Sequence, residues 1–322
     1  MKKAFWALLI MVLCAGFFLP VKVRAAGQPV LSKAEDCLTG EISCYYYNEQ
    51  GIVVQKVNNG GYREDYNYYS DGALKSAMQY HQDQPVRFIR YDAFGNVQLE
   101  KIWISDGTIR YRNYQNTYDA QGRLLEVRQT DTVDDVLQGR STLTYVYYEN
   151  STAYTTELYE YRTENEDSLY HTRFITYDNA HRLLGDENYY LDGSEESTVL
   201  SKLYDDNGNL TYEYHMRFYQ NSQEIREIIY TNKLNKAGLL TQREATTVVT
   251  TNDQTRTEKV LSKYQYDSAG RVIRIDYFDE AGQDMGFEVW TYDQYGNLLD
   301  HSFTGRPLET YEYAPLSQVL RQ

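Results

Sequence analysis

The chain has 322 residues, enough for one large domain or two ordinary ones, and no Pro/Gly/Ser-rich linker divides it. Its formal charge of −14 excludes nucleic acid and anionic membrane surfaces as partners, because both need positive charge. Tyrosine is the outlier, with 34 residues against 10 phenylalanines and 3 tryptophans; that balance favours thin, half-wet strands over a deep aliphatic core.

At the start, Lys2 and Lys3 precede an apolar run over residues 4–20, and Val23-Arg24-Ala25 has the form of a small-residue cleavage site. Residues 1–25 therefore read as a signal peptide; a retained single-span anchor is the rival reading. Leu13, being bulky, speaks against lipidation at Cys14. Loss of Lys2, Lys3, Lys22 and Arg24 leaves 28 basic and 46 acidic residues, a charge of −18. The expected location is secreted or cell envelope, with no membrane span after signal cleavage. Residues 26–44 form a leader, in which residues 32–35 could make a helical turn. Cys37 and Cys44 are the remaining cysteines. In an oxidising space they are expected to form a disulfide.

From Tyr45 a strand pattern takes over. Its punctuation is Tyr, Asp, two variable residues, Gly, a polar residue and an aliphatic one. Full copies begin at Tyr91, Tyr118, Tyr204, Tyr266 and Tyr292. Asp suits the first position of a type I turn, where its carboxylate accepts nearby backbone N–H groups. Gly three residues later suits the left-handed position of a G1 bulge. Asp92 with Gly95, Asp119 with Gly122, Asp205 with Gly208, Asp267 with Gly270 and Asp293 with Gly296 are thus structural turn pairs. Weaker copies begin at Tyr47, Tyr68, Tyr177 and Leu234; His181 takes the Gly place in the third. The steps run from 21 to 32 residues, apart from one of 59 between Tyr118 and Tyr177 that should hide a degenerate unit near Tyr148. Asn59-Gly60-Gly61, Asp106-Gly107 and Asp192-Gly193 mark tight turns between the copies, so each repeat has two strands and two turns. Residues 131–139 read as an inserted loop or one helical turn, and residues 221–226 as a second such segment. Residues 308–313 read as a closing strand.

This pattern resembles the YD repeat of Rhs-type proteins, of bacterial toxin-complex shells and of teneurins. The resemblance covers about residues 45–313. It implies an all-β fold: a repeat array of antiparallel β-hairpins forming a long twisted or spiralling sheet. Residues 314–322 are a tail, and no recognisable Rhs core or toxin domain follows the repeats.

Little catalytic chemistry is visible. No nucleophile elbow, phosphate loop or zincin motif occurs, and the five histidines offer no converging metal set. Asp205-Asp206-Asn207-Gly208-Asn209 resembles the start of a calcium loop, but its Gly is one place early and the turn explains the same residues. The expectation is a non-enzyme without metal or cofactor. Paired tyrosines such as Tyr68-Tyr69 and Tyr189-Tyr190 put rings on both faces of their strands. Tyr69 and Tyr190 are the candidate binding residues, for a protein or a cell-surface carbohydrate. A cross-strand tyrosine ladder that stabilises the sheet is the competing account. The alternatives in function are a scaffold or partial shell of an Rhs-type toxin system, and a carbohydrate-active enzyme.

Overall fold

The computed structural model describes residues 30–315 and 318, apart from 105, 106, 149, 150, 164, 220, 221 and 253. The expected signal peptide lies outside the described residues. In chain order the strands are β1 (Val30–Asp36), β2 (Glu41–Tyr47), β3 (Val53–Asn58), β4 (Tyr62–Tyr68), β5 (Leu74–His81) and β6 (Gln84–Tyr91). Then come β7 (Val97–Trp103), β8 (Ile109–Tyr118), β9 (Leu124–Val133), β10 (Val136–Tyr147), β11 (Tyr154–Tyr161) and β12 (Leu169–Tyr177). Next are β13 (Leu183–Tyr190), β14 (Ser197–Tyr204), β15 (Leu210–Tyr219), β16 (Ser222–Leu234) and β17 (Leu240–Thr251). The last are β18 (Gln254–Tyr266), β19 (Val272–Phe278), β20 (Asp284–Tyr292), β21 (Leu298–Phe303) and β22 (Arg306–Ala314).

Each strand pairs antiparallel with the next, and β22 returns to β1, with Ala34 opposite Tyr311 and Asp36 opposite Glu309. The sheet is a closed 22-stranded β-barrel. Closure removes the sheet edges that a spiralling ribbon would leave open. The expected leader is part of this wall. Residues 32–35 lie in β1 rather than in a helical turn, because pairing with both β2 and β22 overrides local helix preference.

Every Tyr-Asp turn joins an even strand to the following odd one, so these turns share one rim. Their geometry is uniform. In the third full copy, the Asp205 N–H donates to the Asn209 carbonyl (2.9 Å) and the Gly208 N–H to the Asp205 carbonyl (2.9 Å). Asp205 Oδ1 accepts the N–H groups of Asn207 (3.0 Å) and Asn209 (2.8 Å). The five motif glycines have φ from +78° to +86°, and His181 takes the same place at +58°. The degenerate unit is the β10–β11 turn; Tyr147, not Tyr148, occupies the tyrosine place, and the Tyr148 N–H closes the turn on the Ala153 carbonyl. Residues 131–139 are no insertion. They are the tip of an extended hairpin turned by Asp134 and Asp135, both at positive φ. Of residues 221–226, Ser222 onwards belongs to β16.

The register fixes which residues share a face. Tyr66, Ala77, Ile89, Glu100, Arg112 and Asp131 stand opposite one another from β4 to β9 and lie on the face that holds most of the buried side chains. That is the inner face, because side chains on a concave wall converge and shield one another. The outer face carries exposed polar side chains in mid-strand, among them Asn113, Gln115, Arg128, Glu187, Glu227, Lys259 and Lys263, interspersed with exposed apolar ones at Val146, Leu203 and Ile229. Among the described residues only Val30, Tyr47, Ala77, Ile89 and Val249 are fully buried apolar side chains. Side chains fill a barrel of about eight strands. At 22 strands the wall encloses a space too wide for side chains to fill, and few apolar side chains are buried.

Candidate functional site

The inner wall is built in tiers. At the Tyr-Asp rim, the motif tyrosines span the seam between successive hairpins. Tyr68 donates to the Val53 carbonyl (2.6 Å), Tyr204 to Leu183 (3.1 Å), Tyr266 to Leu240 (2.7 Å) and Tyr292 to Val272 (3.2 Å). In three copies the residue after the Gly or His is Arg. Arg123, Arg182 and Arg271 each pair with the Asp of their own turn at 2.6 Å and cover the tyrosine of the next repeat, Tyr147, Tyr204 and Tyr292, at 4.3–4.6 Å. In the Tyr91 copy Phe94 stacks on Tyr118 (4.3 Å), whose hydroxyl donates to the Asp92 carboxylate. Most motif residues are therefore committed to holding one turn against the next.

One tier further in lie Tyr45, Tyr66, Tyr145 and Tyr264, each two residues before a motif tyrosine and on the inner face. Burial raises the titration of all four phenols. Among the described residues the hydroxyls of Tyr45 and Tyr145 meet no hydrogen-bond partner. Deeper still stand the inner charges. Glu100, 2% exposed, is held by Arg87, by Arg112 Nη1 at 3.1 Å and by the Tyr114 hydroxyl at 3.4 Å. Burial and the Glu100 charge push Tyr114 up to about 12. Glu160 meets His171 Nδ1 at 2.6 Å, Glu213 meets His215, and Glu288 meets His301 Nε2 at 2.8 Å. Burial pushes Glu213 and Glu288 up, but hydrogen bonds from those histidines, with Lys202 beside Glu213 and Tyr277 on Glu288, outweigh it and hold both carboxyls low.

At the rim opposite the Tyr-Asp turns, a cleft of about 330 Å³ opens over β9–β12. Gln129, Asp131, Gly139, Ser141 and Glu160 line it from the inner face, together with Arg140, Tyr161, Arg162 and Tyr170. Register shifts at Leu137/Gly139 and Glu160/Tyr161 break the alternation there. Bulges of this kind re-aim side chains locally; beyond them Arg140 stands opposite Thr130 and Tyr161, and Ser141 opposite Gln129 and Glu160, on alternate faces.

The two binding tyrosines read from the sequence do not come together. Tyr69 sits in the β4–β5 turn, donates to the Tyr91 carbonyl (3.1 Å) and lies under Lys75. Tyr190 ends β13 at the other rim, on the inner face, stacked on His171 at 4.4 Å. Neither is an exposed ring on the outside. The expected disulfide is absent: Cys37 and Cys44 are free thiols. Cys44 pairs with Lys33, four residues from Cys37, which places the two about 13 Å apart along the hairpin, beyond disulfide reach. Asp205 spends its carboxylate on its own turn. Among the described residues no cluster of three or more His, Cys, Asp or Glu could hold a metal ion, and no helix is long and apolar enough to cross a membrane. The inner tyrosine tier and the cleft over β9–β12 escaped sequence reasoning; the first was visible as Tyr-x-Tyr before four turns, at Tyr45, Tyr66, Tyr145 and Tyr264.

No family model matches the chain, and no curated protein does. Solved structures resemble it at low identity. The crystal structure of TcdB2-TccC3-TEV is 12% identical over 89% of this chain, with a TM-score of 0.29. This chain spans about a fifth of that one, 18%. A porin-like protein from Bacteroides vulgatus is 11% identical, over 88% of this chain and 99% of its own, at a TM-score of 0.28. One from Bacteroides uniformis is 13% identical, over 67% and 95%, at 0.22.

Proposed function

We propose that this chain is an exported, non-enzymatic YD-repeat scaffold that binds cell-surface carbohydrate along its inner wall. The observation that carries the proposal is the contrast between the two faces. The inner wall presents half-buried tyrosines around an enclosed space, two of them with no hydroxyl partner among the described residues, whereas the outer wall carries charged and polar residues in mid-strand with scattered exposed apolar ones at Val146, Leu203 and Ile229. Aromatic rings that offer one apolar face and one hydroxyl suit a hydroxyl-rich chain. An outer face carrying Arg128, Glu187, Lys259 and Lys263 in mid-strand is unlike the apolar band, about 25 Å tall, of a barrel set in lipid. That supports a protein secreted or held in the envelope without spanning the membrane. The non-enzymatic reading is supported by the inner carboxylates. A general acid needs a raised value; Glu213 and Glu288 are held low by cationic and phenolic neighbours. Closure around a space also favours a second reading, a scaffold component of an Rhs-type toxin system.

The test is titration of the purified mature protein with polysaccharide from bacterial envelopes, followed by product analysis. Saturable binding in detergent-free buffer, without turnover, is the expected result. The Tyr45→Ala/Tyr145→Ala variant should bind about 10-fold or more weakly with its β-sheet circular dichroism unchanged. Retention equal to wild type would remove the inner-wall site, and hydrolysis of the glycan would overturn the non-enzymatic reading.

A further inference from the structure

On the outer wall, β14–β16 carry a continuous apolar patch. The register sets Leu203, Tyr212 and Ile229 side by side across these three strands. Nearer the rim opposite the Tyr-Asp turns it sets Val199, Met216 and Ile225 side by side in the same way. Leu203 is 58% exposed and Ile229 54%, and the other four are half-buried. Between the two rows Tyr214 and Glu227 stand opposite each other. The Tyr214 hydroxyl meets only the Met216 sulfur, at 3.6 Å. Glu227 accepts the Tyr212 hydroxyl at 3.0 Å and has no ion-pair partner among the described residues. The flanks carry opposite charge. Glu187 stands opposite Val199 on the β13 side, and Lys259 stands on the β18 side, opposite Thr246, which in turn faces Ile229. Both are exposed, and neither has an ion-pair partner among the described residues.

We propose that this patch is the contact face of a homodimer, covered by the same patch of a second copy of the chain. Contiguous exposed apolar surface marks a contact site, and the charges within and around this one select its occupant. Lipid, or a purely apolar partner, would leave the Glu227 carboxylate desolvated at the centre of the contact, which is costly. A second copy supplies what Glu227 lacks. A two-fold axis lying in the contact plane between β15 and β16 sets β15 of each copy over β16 of the other, so each Tyr214 hydroxyl comes to the other copy's Glu227. The same axis sets the Glu187 side of each copy over the Lys259 side of the other, so opposite charges meet twice. The patch is thus complementary to itself in apolar surface, in hydrogen bonding and in charge.

Sedimentation velocity of the mature protein over a range of concentrations tests this. The wild type should pass from monomer to dimer as concentration rises. The Leu203→Lys/Ile229→Lys variant should dimerise about 10-fold or more weakly, with its β-sheet circular dichroism unchanged. Glu187→Lys alone and Lys259→Glu alone should each weaken the dimer, because each sets like charges together, and the two combined should restore it. Should the lysine variant fail to fold, that charge swap still decides. A wild type that stays monomeric at about 100 μM overturns the proposal. So does a dimer unaffected by Leu203→Lys/Ile229→Lys, and so does a combined charge swap that restores nothing. Flotation with phosphatidylcholine vesicles covers the other occupant: binding by the wild type that Leu203→Lys/Ile229→Lys abolishes would make the patch a lipid contact and overturn the dimer.

Discussion

A motif Asp is tied to its turn more closely than to anything else. For Asp178, Asp205 and Asp267 the N–H four residues on, at Arg182, Asn209 and Arg271, is the largest cause of a carboxyl held below its ordinary value of 3.8. A lowered folded-state value stabilises the fold above the unfolded value, and that contribution is lost as pH falls through the folded value. The melting temperature should therefore hold from neutral pH to about pH 4 and drop below it, as thermal melts followed by circular dichroism from pH 7 to pH 2 would show. An unchanged melt at pH 2 would contradict these hydrogen bonds. The motif Gly carries a second test. Gly122 has φ +78°, and a Cβ there would stand 3.2 Å from Phe94 Cε1. Gly122→Val should cost about 2 kcal/mol or more, and Gln121→Val in the same exposed turn less than about 0.5 kcal/mol. Equal melting temperatures would remove the left-handed turn from the account.

The hairpin was legible where its signal is local. Asp, Gly and the following Arg or Asn act within five residues, so the repeat read from sequence is the repeat of the structure. Misreadings arose where pairing overrides composition. Residues 131–139, with their acidic run and Gly139, look like an insertion, yet Asp134 and Asp135 turn the chain in two residues and the strands pair up to them. Both have positive φ, 47° and 65°, where Asn-Gly is the favoured pair. Replacing Asp134-Asp135 by Asn-Gly should raise stability by about 0.5–1 kcal/mol in denaturant unfolding. Destabilisation would mean that this tip is not a two-residue turn. The cysteines failed for a related reason. An oxidising compartment suggested a bridge, but the β1–β2 register, invisible in composition, holds Cys44 against Lys33.

Of whole-molecule closure only the closing strand, residues 308–313, was legible in the sequence; its pairing with β1, nearly 280 residues away, depends on the accumulated twist and shear of all strands between. The same gap hid the site. Which Tyr of each pair turns inward is legible only once the register is followed around the ring, and the cleft over β9–β12 lies beside two bulges in neighbouring hairpins. Closure is what makes one face an interior, and every functional statement made for the inner tyrosines depends on it. Amide hydrogen exchange of the mature protein, resolved by peptide, tests closure most directly. In a closed barrel the β1 amides donate to both β2 and β22, so residues 30–36 and 306–314 should be protected to the same degree as β16 and β17. Exchange of alternate amides in β1 and β22 at the rate of unpaired strand edges would show an open sheet and contradict the account.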